Sequence, residues 1–406
     1  MSVLSFFENK EEVALLVDIG SGSISSALVL FSKDKNPELI YNVRLPFSVG
    51  NQNKSPDDAS GLASILETTL SELIRLGFGQ DYFKNRDKKA SSVLVSFSSP
   101  RFVSKTKRIN IEKEKDFVIT KNFLDSIVAV EEDIYKKELL EQDGGKNNTP
   151  RKIIEKNILH IKINGYTVEE GLGKTTNALE AFVSFSATEQ NICDTVYKNI
   201  FKQFHIESEK VFFHTFPIIS FSVIRDIVPS LPGYIMLDVS GEVTELSLVN
   251  DNVVINTVSF PSGRNFIIRQ IAKTFDFSPE IAESTLRLYS NGKVNMEIDE
   301  KMTMLFSDIE KEWSIYFENA LLELSATMNL PSNIYITADK DVAEHYINFL
   351  KVPKADESMN FRNNLSITQI DQNFLSKFYT SNPRLPEDEF IALLSIFYKK
   401  THKTDL

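Results

Sequence analysis

The chain is poor in the residues that carry covalent and metal chemistry. Among its 406 residues there are one cysteine, Cys193, and five histidines. A single cysteine rules out an intramolecular disulfide and a cysteine-rich metal site, and its ordinary role is that of a small buried hydrophobe. The histidines are scattered, with none at H-x-x-x-H spacing, so no structural metal is expected. Basic residues are also in deficit. Lys+Arg number 45 against 56 Asp+Glu, giving a net charge of −11 and a pI near 5.2. Phosphate-backbone binding relies on a basic surface, so nucleic acid is not expected as a partner. No apolar run is long enough to span a bilayer and no secretory signal is present, which leaves a cytoplasmic protein as the expectation. Membrane contact is at most peripheral. The apolar segment Val3-Leu4-Ser5-Phe6-Phe7 either packs on its own domain or dips into a membrane surface.

What is present is the balance of a globular protein: 42% hydrophobic and 25% charged residues support a real core. The length suits two or three domains. The most organised stretch runs from Gly233 to Ile271. Tyr234 to Leu237 is apolar and is followed by Asp238, then Ser240-Gly241. Leu246 to Val249 is a second apolar run, and Asn250-Asp251-Asn252 is a hairpin turn sequence, because Asn and Asp tolerate left-handed backbone. Val253 to Phe260 completes a third strand. Pro261-Ser262-Gly263 breaks it, and Asn265 is placed to cap the next helix.

The same plan occurs near the start. Val13 to Phe31 reads as strand, Asp18, small-residue turn and strand, which suggests an internal duplication. Gly20, Ser21, Gly22 and Ser23 leave room for an oxyanion to approach successive backbone N–H groups. Asp18 and Asp238, each just before a tip, are candidates to hold magnesium, directly or through water. The same glycines equally serve a tight hairpin with no ligand.

Two such hairpins, the second followed by a Ser262-Gly263-Arg264-Asn265 segment, resemble the actin-like (ribonuclease H-like) duplicated ATPase fold. The closer resemblance is to the bacterial cell-division protein FtsA and the pilus-assembly protein PilM. In those families the second hairpin reads D-I-G-G-G-T-T-D; here it is Asp238-Val-Ser-Gly-Glu-Val-Thr-Glu245. The segment before the next helix reads G-G-N-x-x-T-x-x-I there and Ser262-Gly-Arg-Asn-Phe-Ile-Ile-Arg-Gln-Ile271 here. The resemblance covers most of the chain and implies an α/β fold with ATP and magnesium between the hairpins. The implied contacts are Asp18, Gly20, Ser21, Gly22 and Ser23 from the first half, and Asp238, Gly241, Thr244, Gly263 and Glu283 from the second.

The sequence departs from that pattern on three sides. Ser240 and Glu242 stand where the family has glycines. A carboxylate about 5 Å from a polyphosphate costs roughly 3 kcal/mol at an effective dielectric near 20, unless a cation or an outward rotamer relieves it. The family's T-G-G turn, against which the nucleoside lies, is Thr337-Ala338-Asp339-Lys340. Glu283 matches a family glutamate, but the lysine expected three residues later is Leu286, and Arg287 faces another way on a helix. The expectation is a pseudo-ATPase that keeps the frame and has weak or lost nucleotide binding.

Along the rest of the chain, Glu38–Phe47 and Ser91–Phe97 read as strands and Leu62–Leu76 as an amphipathic helix ended by Gly77 and Gly79. Residues 51–60 read as a loop. A small α+β domain of the kind FtsA and PilM insert is expected at 88–207, between 1–87 and 208–406. Inside it, Val103–Ile111, Asn157–Ile163 and Leu179–Phe185 read as strands and Lys121–Leu140 as a helix. Residues 141–149 read as a loop, and Ser186-x-x-Glu189 as a capping box that opens a helix. Gly171-Leu-Gly-Lys-Thr-Thr176 mimics a Walker A ending. Val168 stands where its first glycine belongs and a strand follows, so a hairpin tip is expected. Helices are expected at Phe216–Val228, from Ser278-Pro279 to Tyr289, at Asp299–Met328, at Asp341–Leu350 and at Glu387–Lys400, the last buried on nearly all sides. Asn333–Thr337 reads as a strand.

The resemblance implies a scaffold of the FtsA type, contacting the tubulin-like division protein FtsZ and self-associating into actin-like filaments. FtsA usually ends in a basic amphipathic helix, and this sequence stops at Leu406 just beyond its final core helix. That difference suits the alternative, a PilM-like cytoplasmic adaptor that grips the tail of an inner-membrane pilus protein. An ATPase with retained, nucleotide-switched activity is a further alternative. A sugar-kinase-type enzyme lacks a candidate catalytic aspartate.

Overall fold

The computed structural model describes residues 11–47, 59–142, 150–168, 171–326, 328–352 and 365–402. The N-terminal apolar segment, most of the 51–60 loop and residues 143–149 lie outside them. In chain order the first elements are β1 (Glu11–Ile19), β2 (Ser23–Ser32), β3 (Glu38–Pro46), α1 (Ala59–Glu72) and β4 (Val93–Phe97). Next come β5 (Val103–Val118), α2 (Lys121–Gln142), β6 (Arg151–Ile163), β7 (Tyr166–Val168), β8 (Thr175–Glu189) and α3 (Gln190–Phe204). They are followed by β9 (Val211–Thr215), α4 (Phe216–Ile227), β10 (Gly233–Val239), β11 (Thr244–Asn250), β12 (Val253–Phe260), α5 (Arg264–Phe275), α6 (Pro279–Ser290) and α7 (Met296–Ser325). The last are β13 (Asn333–Ala338), α8 (Ala343–Lys351), β14 (Ser366–Gln369), α9 (Gln372–Leu375), β15 (Thr380–Ser381) and α10 (Glu389–Thr401).

Contacts divide the chain into two compact units: 1–98 with 195–223 and 369–406, and 99–194 with 224–368. The first unit holds a six-stranded sheet in the order β15-β3-β2-β1-β4-β9. The second holds a five-stranded sheet in the order β12-β11-β10-β13-β14. Within both, an antiparallel meander continues through its first strand into a parallel neighbour: β1 pairs with β2 and β4, and β10 pairs with β11 and β13. The duplication expected from the two strand–Asp–turn–strand units is therefore a repeat of topology. Asp18 lies opposite Ser25 and Ser96, and Asp238 opposite Glu245 and Thr337.

The alternating apolar residues of β10, β11 and β13 pack under α5–α8 around Trp313, which is fully buried. In the first unit α10 is buried along Phe390–Leu394 and at Phe397 and Tyr398, as its all-round apolar pattern requires. Its tyrosine hydroxyl reaches Glu12 at 2.8 Å and Ser92 at 2.5 Å.

The segment expected to be an insert holds a four-stranded antiparallel sheet, order β5-β8-β6-β7, with α2 on one face. It groups with the second unit. The Thr106 hydroxyl donates to the Val254 carbonyl at 2.7 Å and Lys162 lies 3.5 Å from Asp251, tying its sheet to the β11–β12 hairpin. The Gly171–Thr176 segment is a turn leading into β8, with Gly173 at φ 78°.

Several expectations shift. Ser186 does not cap a helix: it lies in β8, which is paired with β5 as far as Ala187 and with β6 as far as Glu189, and α3 starts at Gln190. A strand held by two ladders outweighs a local capping pattern. β6 begins at Arg151, six residues before the expected Asn157, and β9 has no counterpart among the expected elements. The long helix α7 starts at Met296, because the Asn295 side chain accepts from the Ile298 N–H at 2.9 Å. At the β11–β12 turn, Asp251 and Asn252 have φ of 49° and 60°. Replacing Asn252 by alanine is expected to cost about 1 kcal/mol in urea denaturation, since a Cβ-bearing residue without a local side-chain bond is disfavoured there.

Candidate functional site

Each unit carries one hairpin. In the first, β1 and β2 are joined through Gly20-Ser21-Gly22. The Gly20 N–H donates to the Ser23 carbonyl at 3.1 Å, and the Phe47 N–H to the Gly22 carbonyl at 2.9 Å. Asp18 and Ser21 are buried. The Ser23 hydroxyl accepts from Arg44 Nε at 2.9 Å, and the Arg44 guanidinium lies 5.1 Å from the Phe390 ring centroid. The Ser25 hydroxyl donates to Asp388 Oδ2 at 2.5 Å. Asp388 Oδ1 accepts from the Ile391 N–H at 3.1 Å, capping α10. A buried acid thus stands behind a tip of small neutral residues, as the sequence implied.

The second hairpin is committed to its own helix. The Arg264 N–H donates to the Ser240 carbonyl at 3.0 Å, and the Asn265 N–H to the Gly241 carbonyl at 2.7 Å. Gly263 makes this approach feasible: a Cβ on it would sit 2.3 Å from the Ser240 oxygen and 2.6 Å from that of Gly241. The N–H groups at the start of α5, the ordinary place for an oxyanion, are therefore engaged by the tip. The Ser240 N–H is also used, donating to the Val243 carbonyl at 3.0 Å. Thr244 is fully buried; its hydroxyl donates to the Ser262 carbonyl at 2.6 Å and accepts from Trp313 Nε1 at 3.5 Å. It faces the core.

Asn265 does not cap α5. Gly263 holds the cap position, and Asn265 Nδ2 donates to Glu242 Oε1 at 2.9 Å. Arg269, one turn on, meets both oxygens of Glu242 at 3.0 and 2.8 Å. The carboxylate expected to repel polyphosphate is turned onto α5 and neutralised there. Arg269 sits four residues after Asn265, a spacing that can be read from sequence only once Glu242 is known to reach the helix.

Around the end of β13 lies an ion cluster that the sequence reading missed. Arg264 is 11% exposed at its side chain. Its Nε and Nη2 meet Asp341 at 2.9 and 2.6 Å, its Nη2 meets Glu283 at 2.9 Å, and its Nε lies 3.6 Å from Asp339. Burial opposes a charge on Arg264, but Asp341, Asp339 and Glu283 outweigh it and raise its pKa further. Burial would likewise raise the Glu283 carboxyl, yet Arg264 and Arg287 hold it below the ordinary carboxylate range. Arg287, expected to face elsewhere, reaches Glu283 at 2.6 Å, while Leu286 is buried in the core.

The positions that the FtsA/PilM resemblance assigns to the nucleoside, Glu283 and Ala338–Asp339, thus surround the protein's own guanidinium. The α5 N–H groups, the Thr244 hydroxyl and Glu283 are all engaged within the protein. Among the described residues no group of three or more His, Cys, Asp or Glu is placed to hold a metal ion. Asp18 and Asp238, the acids expected to hold magnesium, are both buried, each within its own unit.

Neither a protein-family model nor a curated protein sequence matches the chain. Solved structures do. The structure of a PilM–PilN type IV pilus biogenesis complex aligns at TM-score 0.60 with 13% identity, covering 95% of this chain and 98% of that one. A Bacteroides thetaiotaomicron protein of unknown function with an actin-like ATPase fold aligns at TM-score 0.44 and 10% identity over 97% and 99%. MreB 5 of Spiroplasma citri bound to AMPPNP aligns at 0.39 and 11% over 97% and 98%. The chain has the actin-like ATPase fold, and its fold is similar to that of PilM over nearly its whole length.

Proposed function

We propose that this protein is a non-enzymatic adaptor of the PilM kind, which uses the actin-like frame to bind another protein of an envelope machine. The observation that carries the proposal is the Arg264–Asp341–Glu283 cluster, in which one buried guanidinium bonds Asp341 and Glu283 and lies beside Asp339, the last two being positions expected to receive a nucleoside. A frame kept while its nucleotide residues bond to one another is a scaffold rather than a catalyst. The likeness to PilM in complex with PilN favours a membrane-protein tail as the partner. Among the described residues no helix is long and apolar enough to cross a membrane, so on this reading the partner supplies the membrane attachment. An FtsA-type division scaffold that contacts FtsZ is the second reading, favoured by the inserted α+β sheet.

Calorimetric titration with magnesium-ATP tests the proposal. No heat is expected up to several hundred micromolar nucleotide. A low-micromolar Kd would overturn the adaptor reading and restore a nucleotide-switched ATPase. Pull-downs with tails of inner-membrane pilus proteins and with FtsZ then separate the two partner readings.

A further inference from the structure

A small pocket opens in the first unit at the start of α10. Leu39 of β3, Tyr379, Ser381 of β15, Pro386, Asp388 and Ala392 are part of its lining. Ser381 and Leu39 are partners in the parallel β15–β3 pairing, and Asp388 caps α10, so regular elements hold the walls in place. The cavity measures about 10 Å³, the room that one water or one ammonium group takes.

The polar lining is rich in acceptors. Tyr379 is 7% exposed, and its hydroxyl is buried without a hydrogen-bond partner. A buried polar group left without a partner is costly. Burial, and after it the charge of Asp388, raise the pKa of Tyr379, so the hydroxyl keeps its proton. That influence of Asp388 places the hydroxyl end of the ring on the acidic side of the pocket. Asp388 is equally buried, and its oxygens take neutral donors, the Ser25 hydroxyl and the Ile391 N–H. Each oxygen keeps a lone pair. The Ser381 hydroxyl accepts from Gln372 Nε2 at 2.7 Å and has a further lone pair as well. Behind Pro386, whose carbonyl accepts from Asn42 Nδ2 at 3.3 Å, Asn42 Oδ1 is another buried acceptor without a partner. Glu387 and Glu389 also line the pocket and have partners of their own.

We propose that this pocket binds a primary alkylammonium, with the head on Asp388, Tyr379 and Ser381 and the stem along Leu39, Pro386 and Ala392. An ammonium brings three donors and no acceptor, which suits acceptors grouped around a carboxylate. Its hydrogen bonds are charge-assisted, roughly twice as strong as those of a neutral donor. A phosphate or carboxylate would face Asp388, and a guanidinium needs more room than one water leaves. The apolar residues suit an aliphatic stem, as in pockets where a few polar groups orient a mostly apolar ligand. The ligand is a free amine or the lysine side chain of another protein, since both present this chemistry.

Saturation-transfer NMR of the full chain with n-butylammonium chloride and with n-butanol tests the site. Butylammonium is expected to bind saturably, about tenfold more tightly than the alcohol of the same length. Tyr379→Phe is expected to weaken it about tenfold without lowering the thermal unfolding midpoint, because the hydroxyl has no bond to lose. Asp388→Asn keeps a capping side chain on α10 and removes the charge, and is expected to abolish the preference for ammonium over alcohol. Should that variant fold poorly, Tyr379→Phe decides alone. Nα-acetyl-lysine methylamide separates the two sources: binding equal to that of butylammonium supports a protein's lysine, and binding of butylammonium only supports a free amine. Equal affinities for butylammonium and butanol, or an unchanged butylammonium affinity in Tyr379→Phe, would overturn the proposal. So would a lower unfolding midpoint in Tyr379→Phe, which would mean that a structural water occupies the pocket and bonds the hydroxyl.

Discussion

Replacing Arg264 by methionine is expected to destabilise the second unit by about 3–5 kcal/mol. The magnitude follows from removing one partner of a buried ion network, which leaves the others uncompensated. Arg264 bonds Asp341 with two nitrogens and reaches Glu283 with one of them. Methionine keeps much of the stem volume but leaves those carboxylates without their shared cation. Urea denaturation followed by Trp313 fluorescence measures the loss, because the chain's single tryptophan sits in the core of this unit. The variant carrying Arg264→Met, Asp341→Leu and Glu283→Gln together is expected to recover most of the stability, since removing the whole network also removes its desolvation cost. The network should also make this unit acid-sensitive. The pKa of Glu283 is depressed, so its contribution is present above the unfolded carboxylate value and fades as pH falls below it. A methionine variant that unfolds at the wild-type midpoint would mean the cluster is solvated and does not close the nucleoside side.

The frame was legible in the sequence, and the contents of the second half much less so. Both hairpins announced themselves through apolar runs interrupted by one Asp and a few small residues, a pattern set within about twenty positions. α6 and α10 were equally plain, because caps and all-round apolarity are local. What stayed hidden depends on residues distant in sequence. Arg264 meets Glu283 and Asp341 across separations of 19 and 77, and no periodicity connects them. The departures at Ser240, Glu242 and Ala338–Asp339 did show that the nucleotide pattern was broken. They did not show that the protein's own basic residues meet Glu242 and Asp339. Glu242 was expected to face a ligand; Arg269 and Asn265 hold it instead. Ser186 misled for a related reason: a capping box is a statement about four residues, while β8 is fixed by the strands on either side of it. β9 was missed because five residues with alternating burial between two helices carry little signal of their own.

Replacing Gly263 by alanine is expected to cost about 3–5 kcal/mol, in spite of adding only one methyl group. The glycine is not needed for a left-handed backbone: its φ is −107°, which any residue adopts. It is needed for proximity. The added Cβ would lie 2.3 and 2.6 Å from the carbonyl oxygens of Ser240 and Gly241, and neither is the movable end of a side chain. Relief requires α5 to withdraw from the hairpin. That breaks the bonds from the Arg264 and Asn265 N–H groups, each worth about 1 kcal/mol, on top of about 1–3 kcal/mol for overpacking. It also draws Arg264 away from Asp341 and Asn265 away from Glu242, so the two internal neutralisations loosen together. Gly263→Ala should therefore shift the Trp313 unfolding midpoint and, in calorimetry, remain without response to magnesium-ATP. The two readouts have different meanings. If stability falls and nucleotide still does not bind, the tip–helix bonds hold the hairpin and the exclusion of ATP survives their loss. If nucleotide begins to bind, the engaged N–H groups of α5 were what kept it out. A variant as stable as wild type would refute the close approach of hairpin and helix on which both readings depend.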